Sequence, residues 1–228
     1  MMITVVVFDL DDTIYDEVDY CRSGFAAVAE FLAEKSDALS ANSIFEGLWR
    51  HFSAGDRTRT FNAALDELDI PYDNLKVSQL VDVYRNHVPK IKLPHESREV
   101  LDELKSKYIL AMLTDGFLPA QQLKVRALGI ESYFTRIVYT EQLGREFWKP
   151  SPAGFEKIIH DLGARPENSV YIADNEKKDF IAPNKLGFST IRLVRRAGIH
   201  TASCQEPGDR AQHEIHRIGQ LPALIEQL

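Results

Sequence analysis

Short apolar runs alternate with amphipathic segments along much of this 228-residue chain. The runs are rich in β-branched residues and are typical of buried strands: ITVVVFD (3–9), YILAMLT (108–114), TRIVYT (135–140), SVYIAD (169–174) and FSTIRLV (188–194). Apolar residues at three- and four-residue spacing predict helices in ESREVLDELKSK, PAQQLKVRAL, SPAGFEKIIHDL and KKDFIAPNKL. This alternation predicts an α/β fold, a Rossmann-like three-layer sandwich with a mainly parallel sheet.

One interval contains no convincing strand and predicts an all-helical insert, residues 15–93. Its four amphipathic stretches lie around residues 25–32, 44–52, 61–68 and 80–87. We therefore expect a Rossmann-like core, residues 1–14 and 94–228, interrupted by a small helical domain. Beyond a polar loop that begins at Ala197, HEIHRI predicts a sixth strand at the sheet edge and LPALIEQL a closing helix.

Composition excludes several classes of protein. A net charge of −7 argues against a nucleic-acid surface, because phosphate backbones are bound by clustered Lys and Arg. The two cysteines, Cys21 and Cys204, are too few for a disulfide scaffold and too far apart for a CxxC metal site. The N-terminal apolar run is broken by Asp9 and has no basic flank, and no run reaches the roughly 18 residues of a membrane span. We expect a cytoplasmic monomer or homodimer with no nucleic-acid or membrane partner.

Polar residues follow the predicted strands at their carboxyl ends, which open onto one crevice in a parallel sheet. They are Asp9, Asp11, Asp12 and Thr13 after the first strand, Thr114 and Asp115 after the second, Lys149 beyond the third, and Asp174 and Asn175 after the fourth. Because side chains alternate along extended chain, Asp9 and Asp11 are expected to face the crevice while Asp12 points elsewhere. Asp12 and Thr13 can equally cap the next helix or tighten a turn.

Carboxylates that converge on one rim repel each other and lose hydration, so they need a cation or a raised pKa. Asp9 and Asp174 are joined there by Asp179, five residues after Asp174. Oxygen ligation by one or two carboxylates, a backbone carbonyl and several waters is the preference of Mg²⁺, which keeps open positions for phosphate oxygens. The sequence therefore predicts a Mg²⁺ site at this rim.

Phosphoryl transfer uses a divalent cation, positively charged donors and carboxylates of this kind. A metal, Lys149 and the donors around Thr114 together supply positive charge to the equatorial oxygens of a phosphoryl group. Asp9, kept ionised by the metal, can attack phosphorus, and Asp11 can shuttle protons if its environment raises its pKa.

In this order, the motifs resemble those of the haloacid dehalogenase-like hydrolase superfamily. FDLDDT matches its DxDxT signature, LTDG the second motif, WKP the third and ADNEKKD the fourth. The resemblance covers essentially the whole chain, with one departure at Ala173, where the fourth motif usually has Gly. Most members of this superfamily are Mg²⁺-dependent phosphatases, and many carry a helical cap between the first two motifs, which is where residues 15–93 lie.

The resemblance implies a role for each matching residue. Asp9 is expected to be the nucleophile that forms an aspartyl-phosphate, and Asp11 the general acid and then the base. Mg²⁺ is expected to be held by the Asp9 side chain, the Asp11 backbone carbonyl and Asp174. The remaining residues are phosphate-binding or supporting: Thr114, Asp115 and Lys149 for the phosphate, Asp179 and Asn175 for support.

The resulting hypothesis is a Mg²⁺-dependent phosphatase acting on a small phosphorylated metabolite, a sugar phosphate or a nucleotide monophosphate. Alternatives are a phosphosugar mutase of the same fold and a non-catalytic binding or regulatory protein that retains the pocket. Dehalogenation is disfavoured, because dehalogenases lack the acid that Asp11 provides. Within the cap, several side chains can either contact an anionic substrate or lie on a solvated face: Arg22, His51, Arg57 and Arg59.

Overall fold

The structure, a computed structural model, describes residues 2–36, 38–55, 57–195 and 206–228. Its described strands form one six-stranded sheet in the order β3-β2-β1-β4-β5-β6, and every neighbouring pair is parallel. The strands are β1 (Val5–Phe8), β2 (Ile109–Thr114), β3 (Arg136–Tyr139), β4 (Ser169–Ala173), β5 (Ser189–Leu193) and β6 (His213–Ile215). The α/β prediction is confirmed, including the sixth edge strand. The polar loop predicted from Ala197, with Cys204, lies outside the described residues as far as residue 205.

Burial explains why these segments form central strands. All four residues of β1 and all five of β4 are buried, and successive side chains point to opposite faces, so helices or loops cover the sheet on both sides. On one face, Val7 and Leu113 pack in a cluster with Phe155 and Ile158 from the helix between β3 and β4. The sheet is therefore the centre of the hydrophobic core.

The described helices of four or more residues follow the predicted amphipathic segments. They are α1 (Glu17–Ala33), α2 (Ala41–Ser53), α3 (Thr60–Glu67), α4 (Asn74–Asn86), α5 (His95–Lys105), α6 (Ala120–Leu128), α7 (Ala153–Leu162), α8 (Ile181–Leu186) and α9 (Leu221–Ile225). Helices α6 and α7 end at Gly129 and Gly163, whose φ angles of 67° and 59° are left-handed and favour glycine. None of the described helices is long and apolar enough to cross a membrane.

Helix α8 is shorter than the segment KKDFIAPNKL predicts. Residues 176–178 form a turn and residues 179–180 a bend instead, and Asn175 organises both. The carbonyl of Asn175 accepts from the backbone N–H groups of Lys178 and Asp179, and its side chain accepts from the N–H of Lys177. Asx side chains compete in this way with helical hydrogen bonds, which is why helical spacing alone overestimates this helix.

The chain divides into two compact units, a core unit of Met1–Val18 with Lys92–Leu228 and a helical unit of Asp19–Ile91. The helical unit has an aromatic centre at Phe25, whose ring lies 5.3–6.4 Å from four others. These are the rings of Trp49, Phe52, Phe61 and Tyr84. This packing explains the clustering of aromatic residues in the sequence of the insert.

Three of the charged residues singled out in the insert have partners inside the helical unit. The guanidinium of Arg22 lies 4.8 Å from the Trp49 ring, and that of Arg57 lies 4.9 Å from the Phe52 ring. Nε2 of His51 lies 2.7 Å from a carboxylate oxygen of Glu67. A contact between any of them and a substrate stays a prediction.

Candidate active site

The chemistry-bearing residues lie at the topological switch point of the sheet. From β1 the chain passes outward to β2 and β3, then returns to build β4, β5 and β6 on the other side of β1. In such sheets ligands bind outside the carboxyl ends of the strands at this point. Asp9 directly follows β1 and Asp174 directly follows β4, and the backbone N–H of Asp9 donates to Ile172 of β4 at 2.9 Å.

Asp9 and Lys149 form a buried ion pair. Nζ of Lys149 lies 2.7 Å from Oδ1 of Asp9, 2.8 Å from Oδ1 of Asp179 and 2.9 Å from the Tyr171 hydroxyl. Burial raises the pKa of Asp9 to about 7, although the Lys149 charge acts in the opposite direction. The loop before α7 thus places the Lys149 ammonium in contact with Asp9, the predicted nucleophile.

Asp174 is a buried carboxylate whose negative charge is not fully compensated by hydrogen bonds. Its side-chain Oδ2 makes no hydrogen bond with any described residue. Burial, followed by the charges of Asp9 and Asp179, raises the pKa of Asp174 to about 9. Asp9, Asp174 and Asp179 each offer a carboxylate oxygen, and these oxygens lie within 4.8 Å of one another. An all-oxygen donor set with an unsatisfied buried carboxylate fits a hard divalent cation.

Asp11 lies in a very different environment from Asp9. Nζ of Lys124 lies 2.8 Å from both Asp11 carboxylate oxygens, the Tyr15 hydroxyl donates to Oδ1 at 2.5 Å, and Nε2 of Gln121 donates to Oδ2 at 2.8 Å. Although burial acts in the opposite direction, Lys124 and these hydrogen bonds hold the pKa of Asp11 below its usual range. The sequence-based condition that the surroundings of Asp11 raise its pKa is therefore not met by these protein groups.

The side chain of Asp115 is fully used by protein donors. Its Oδ1 accepts from the Thr140 hydroxyl at 2.9 Å and from the backbone N–H of Lys149 at 3.2 Å, and its Oδ2 accepts from Lys178 Nζ at 2.8 Å. A carboxylate also repels phosphate oxygens. Any contribution of Asp115 to phosphate binding therefore has to come from its backbone N–H.

Thr114 ends β2 and is buried, and its hydroxyl accepts a hydrogen bond from Gln121 Nε2 at 2.6 Å. Gln121 is the same side chain that donates to Asp11. The predicted phosphate ligand and the predicted proton-transfer group therefore share one amide on α6.

The remaining predicted residues shape the backbone around the site. Oδ2 of Asp179 accepts from the backbone N–H of Asn175 at 3.0 Å, which closes the loop after β4. Asp12 has a left-handed φ of 50°, and its side chain accepts from the N–H of Glu17, the first residue of α1, at 2.8 Å. Asp12 therefore stabilises the turn before α1 and the start of that helix, in agreement with the interpretation that it caps a helix or tightens a turn.

A pocket of about 90 Å³ opens among these groups. It is lined by Asp9, Asp11, Glu17, Asp115, Asp174, Asn175, Lys178 and Asp179. Three lysines pair with its carboxylates: Lys124, Lys149 and Lys178. Six carboxyl groups against three lysines leave a negative balance if all ionise, which opposes entry of a phosphate unless a cation is also bound. Among the described residues, Thr114 contacts the lining residue Asp115 and Lys149 contacts the lining residue Asp9, but neither forms part of the lining.

Several residues of the site were not anticipated from the sequence: Tyr15, Glu17, Gln121, Lys124, Tyr171 and Lys178. Glu17 is notable because burial, and then the charge of Asp11, raises its pKa to about 8. A signal for Gln121 and Lys124 does exist. They share helical spacing with Val125 and Leu128, so the apolar face of α6 includes two polar positions, and polar residues on a buried face need partners.

The sequence and the fold are similar to those of known proteins. The model of the haloacid dehalogenase-like hydrolase family matches residues 3–187. The chain is 27% identical to a glyceraldehyde 3-phosphate phosphatase of Methanopyrus kandleri, over all of this chain and 99% of that protein. It is 25% identical to a ribulose-1,5-bisphosphate 5-phosphatase of Halopiger xanaduensis, over 98% of this chain and all of that protein.

A solved structure of a 2-haloacid dehalogenase from Pseudomonas syringae pv. Tomato DC3000 is similar with a TM-score of 0.66 and 25% identity, over 99% of each chain. The family match covers most of the chain and includes all of the residues that meet at the switch point. This chain belongs to the haloacid dehalogenase-like hydrolase family.

Proposed function

We propose that this protein is a Mg²⁺-dependent phosphoric monoester hydrolase that acts on a small phosphorylated metabolite, a sugar phosphate or a nucleotide monophosphate. The observation on which the proposal rests is the meeting of Asp9, Lys149 and Asp174 at the carboxyl ends of β1 and β4. The phosphatase names of its relatives support the reaction class. The residues that line the pocket are nearly all charged and suit a phosphoryl group and a cation, so we expect substrate choice to depend on residues outside it. We assign that role to the helical unit as a prediction.

The residues that would hold Mg²⁺ are Asp9 and Asp174 through their carboxylates and Asp11 through its backbone carbonyl. The unpartnered Asp174 Oδ2 is the feature of the structure that fits this assignment. Asp179 is less suited, because its oxygens already face Lys149 and the N–H of Asn175. When bound, Mg²⁺ supplies positive charge that keeps the carboxylates ionised and offsets the charge of the phosphoryl oxygens.

Asp9 is the proposed nucleophile. Its carboxylate oxygen attacks phosphorus, a new P–O bond forms, and the bond to the ester oxygen breaks with the electron pair remaining on that oxygen. Asp11 donates a proton to the departing oxygen. Asp11 then accepts a proton from water as the water oxygen attacks the aspartyl-phosphate, which releases inorganic phosphate and restores the Asp9 carboxylate.

The phosphoryl oxygens are proposed to be bound by the Lys149 ammonium, by the hydroxyl of Thr114 and by the backbone N–H of Asp115. Lys178 is a further proposed cation at this position, because it lines the pocket and pairs with Asp115 at 2.8 Å. These donors stabilise the charge on the equatorial oxygens in the transition state.

Dehalogenation is the reaction of one structural relative. A halide leaves without a proton, so that reaction has no use for an acid two residues after the nucleophile. In this chain Asp11 is present and three side chains donate to it. This favours hydrolysis of an ester, whose alkoxide leaving group does need a proton.

The test is Asp9→Asn, which preserves side-chain volume. We expect Mg²⁺-dependent hydrolysis of p-nitrophenyl phosphate to fall by roughly a thousandfold or more, with the circular dichroism spectrum unchanged. Asp19→Asn, an exposed position at the start of the helical unit, is the control and should leave the rate unchanged. A rate for Asp9→Asn close to wild type would reject the mechanism.

Two further measurements separate the alternatives. A panel of phosphorylated metabolites, assayed for released phosphate, identifies the substrate class. A phosphosugar mutase would instead convert a sugar phosphate into its isomer without releasing phosphate, and a binding protein would do neither.

A further inference from the structure

A buried lysine contacts the predicted proton-transfer group from an element outside the family motifs. Lys124 lies on α6, its side chain is 4% exposed, and its Nζ is 2.8 Å from both oxygens of Asp11. Lysine is almost never buried without a partner, because an ammonium removed from water loses its hydration and needs a paired charge to offset that loss. Here the partners include the Asp11 carboxylate, contacted through both oxygens, and Glu17, farther away at 3.9 Å.

Gln121, one turn earlier on α6, contacts the same carboxylate. Its Nε2 lies 2.8 Å from Asp11 Oδ2, 2.6 Å from Thr114 Oγ1 and 2.9 Å from the carbonyl of Asp115. A single buried amide therefore joins the proton-transfer group to the second motif.

The backbone nearby leaves space for this amide. Gly116 has a φ of 137°, and a Cβ atom there would lie 2.8 Å from Cδ of Gln121. Any larger residue would therefore collide with Gln121 and be strained as well.

We propose that Lys124 and Gln121 are positioning residues that hold the Asp11 carboxylate in the orientation from which it exchanges protons with the leaving group and with water. This inference rests on the proposed function. Together with the Tyr15 hydroxyl they direct donors at both Asp11 oxygens, so rotation of the carboxylate would break several charge-assisted hydrogen bonds at once. Proton transfer requires the acid to lie within hydrogen-bond distance of the oxygen that receives the proton. A carboxylate that is already held in that orientation loses less conformational freedom in reaching the transition state.

A purely structural role and a positioning role differ in their dependence on the leaving group. Phenyl phosphate and p-nitrophenyl phosphate have similar size, but p-nitrophenol is the stronger acid and leaves with little help from a proton. The value of kcat/KM reports the step in which the leaving group departs. Loss of a positioning residue for the acid should therefore reduce kcat/KM for phenyl phosphate far more than for p-nitrophenyl phosphate.

The experiment compares Lys124→Met and Gln121→Met with wild type on both esters, in the presence of Mg²⁺. We expect the ratio of the two kcat/KM values to change by about tenfold, since general acid catalysis contributes roughly 10²–10⁴ and the Tyr15 donor remains. Arg126→Met removes an exposed charge from the same helix and should leave the ratio unchanged. In an Asp11→Asn background, Lys124→Met should change the ratio no further, because it acts through Asp11.

Equal losses on both esters, or no loss on either, would overturn the inference while leaving the proposed function intact. If Lys124→Met does not fold, Gln121→Met decides, because it removes no charge. If the wild-type protein hydrolyses neither ester, the proposed function has failed and the positioning role fails with it.

Discussion

Two aspartates separated by one residue have opposite electrostatic environments. Asp9 ends a buried strand, and burial outweighs its pairing with Lys149, so its pKa is raised to about 7. Asp11 lies in the following loop, where Lys124 and neutral donors outweigh burial and lower its pKa. The order of the two pKa values that the protein groups produce is thus the reverse of what a nucleophile and an acid need. A cation at Asp9 and Asp174 would lower the pKa of Asp9, and a phosphate dianion near Asp11 would raise that of Asp11.

The contact between Lys178 and Asp115 leads to a test of phosphate binding. In Lys178→Met, the Asp115 carboxylate keeps its charge but loses one of its two nearby cations, with Lys149 remaining, so negative charge near the phosphoryl site increases. We expect KM for p-nitrophenyl phosphate to rise about tenfold, equivalent to roughly 1.4 kcal/mol, with a smaller change in kcat. Steady-state kinetics at saturating Mg²⁺ measure this.

The neighbouring lysine supplies the control. Lys177 is exposed, so Lys177→Met should leave KM unchanged. Combining Lys178→Met with Asp115→Asn removes the uncompensated charge and should recover part of the affinity. A KM equal to wild type in Lys178→Met would show that this pair does not act on the phosphate.

Residue types and spacing were sufficient to predict which side chains meet at the sheet edge, because parallel strands place their carboxyl ends together. Asp9, Lys149 and Asp174 do meet there. The lysine partners of the acids were harder to predict. The place of Lys124 on the apolar face of α6 indicates that it needs a partner, but only the three-dimensional packing of α6 identifies Asp11 as that partner.

At the scale of elements, close packing of α7 on β2 depends on a glycine. Gly154 lies in the first turn of α7, and a Cβ there would lie 2.5 Å from Cδ1 of Leu113, which is fully buried. Alanine is the better helix former by about 1 kcal/mol, but overpacking costs roughly 1–3 kcal/mol. We therefore expect Gly154→Ala to lower the free energy of unfolding, as measured by urea denaturation.

Gly47 on α2 provides a matched comparison. A Cβ there would lie 3.5 Å from Leu68, an ordinary contact, so Gly47→Ala should gain about 0.5–1 kcal/mol from helix propensity. The two substitutions are chemically identical and differ only in the available space. Stabilisation of both variants would contradict the packing explanation for Gly154.

Elements were predicted most reliably where hydrophobic periodicity decides their type. The strands and the long helices α2, α5 and α7 follow their apolar patterns. The segment KKDFIAPNKL overestimates α8 because the side chains of Asn175 and Asp179 accept hydrogen bonds from backbone N–H groups there, and hydrophobic periodicity does not register such bonds. The order of the strands in the sheet depends on contacts between distant parts of the chain, so no local sequence pattern predicts it.

At the scale of the whole molecule, stability is linked to the acidic site. The folded pKa of Asp174 is about 9 against an ordinary value of 3.8, so between these values the folded protein binds more protons than the unfolded chain. The stability of the metal-free protein should therefore fall as pH rises through this window, with Asp9 adding to the slope up to about pH 7. Mg²⁺ binds the ionised carboxylates and should stabilise the protein more at high pH than at low pH.

Asp174→Asn tests this linkage because it removes the charge and keeps the shape. Urea denaturation with EDTA should show a shallower fall in stability between about pH 5 and pH 9 than in wild type. Mg²⁺ at a hundred times its wild-type Kd should add about 2.7 kcal/mol to the wild type and little to this variant. Asp66→Asn, an exposed position in the helical unit, should behave as wild type in both measurements. Equal Mg²⁺ stabilisation of Asp174→Asn and wild type would place the cation elsewhere, and the buried Asp174 carboxylate would then need another explanation.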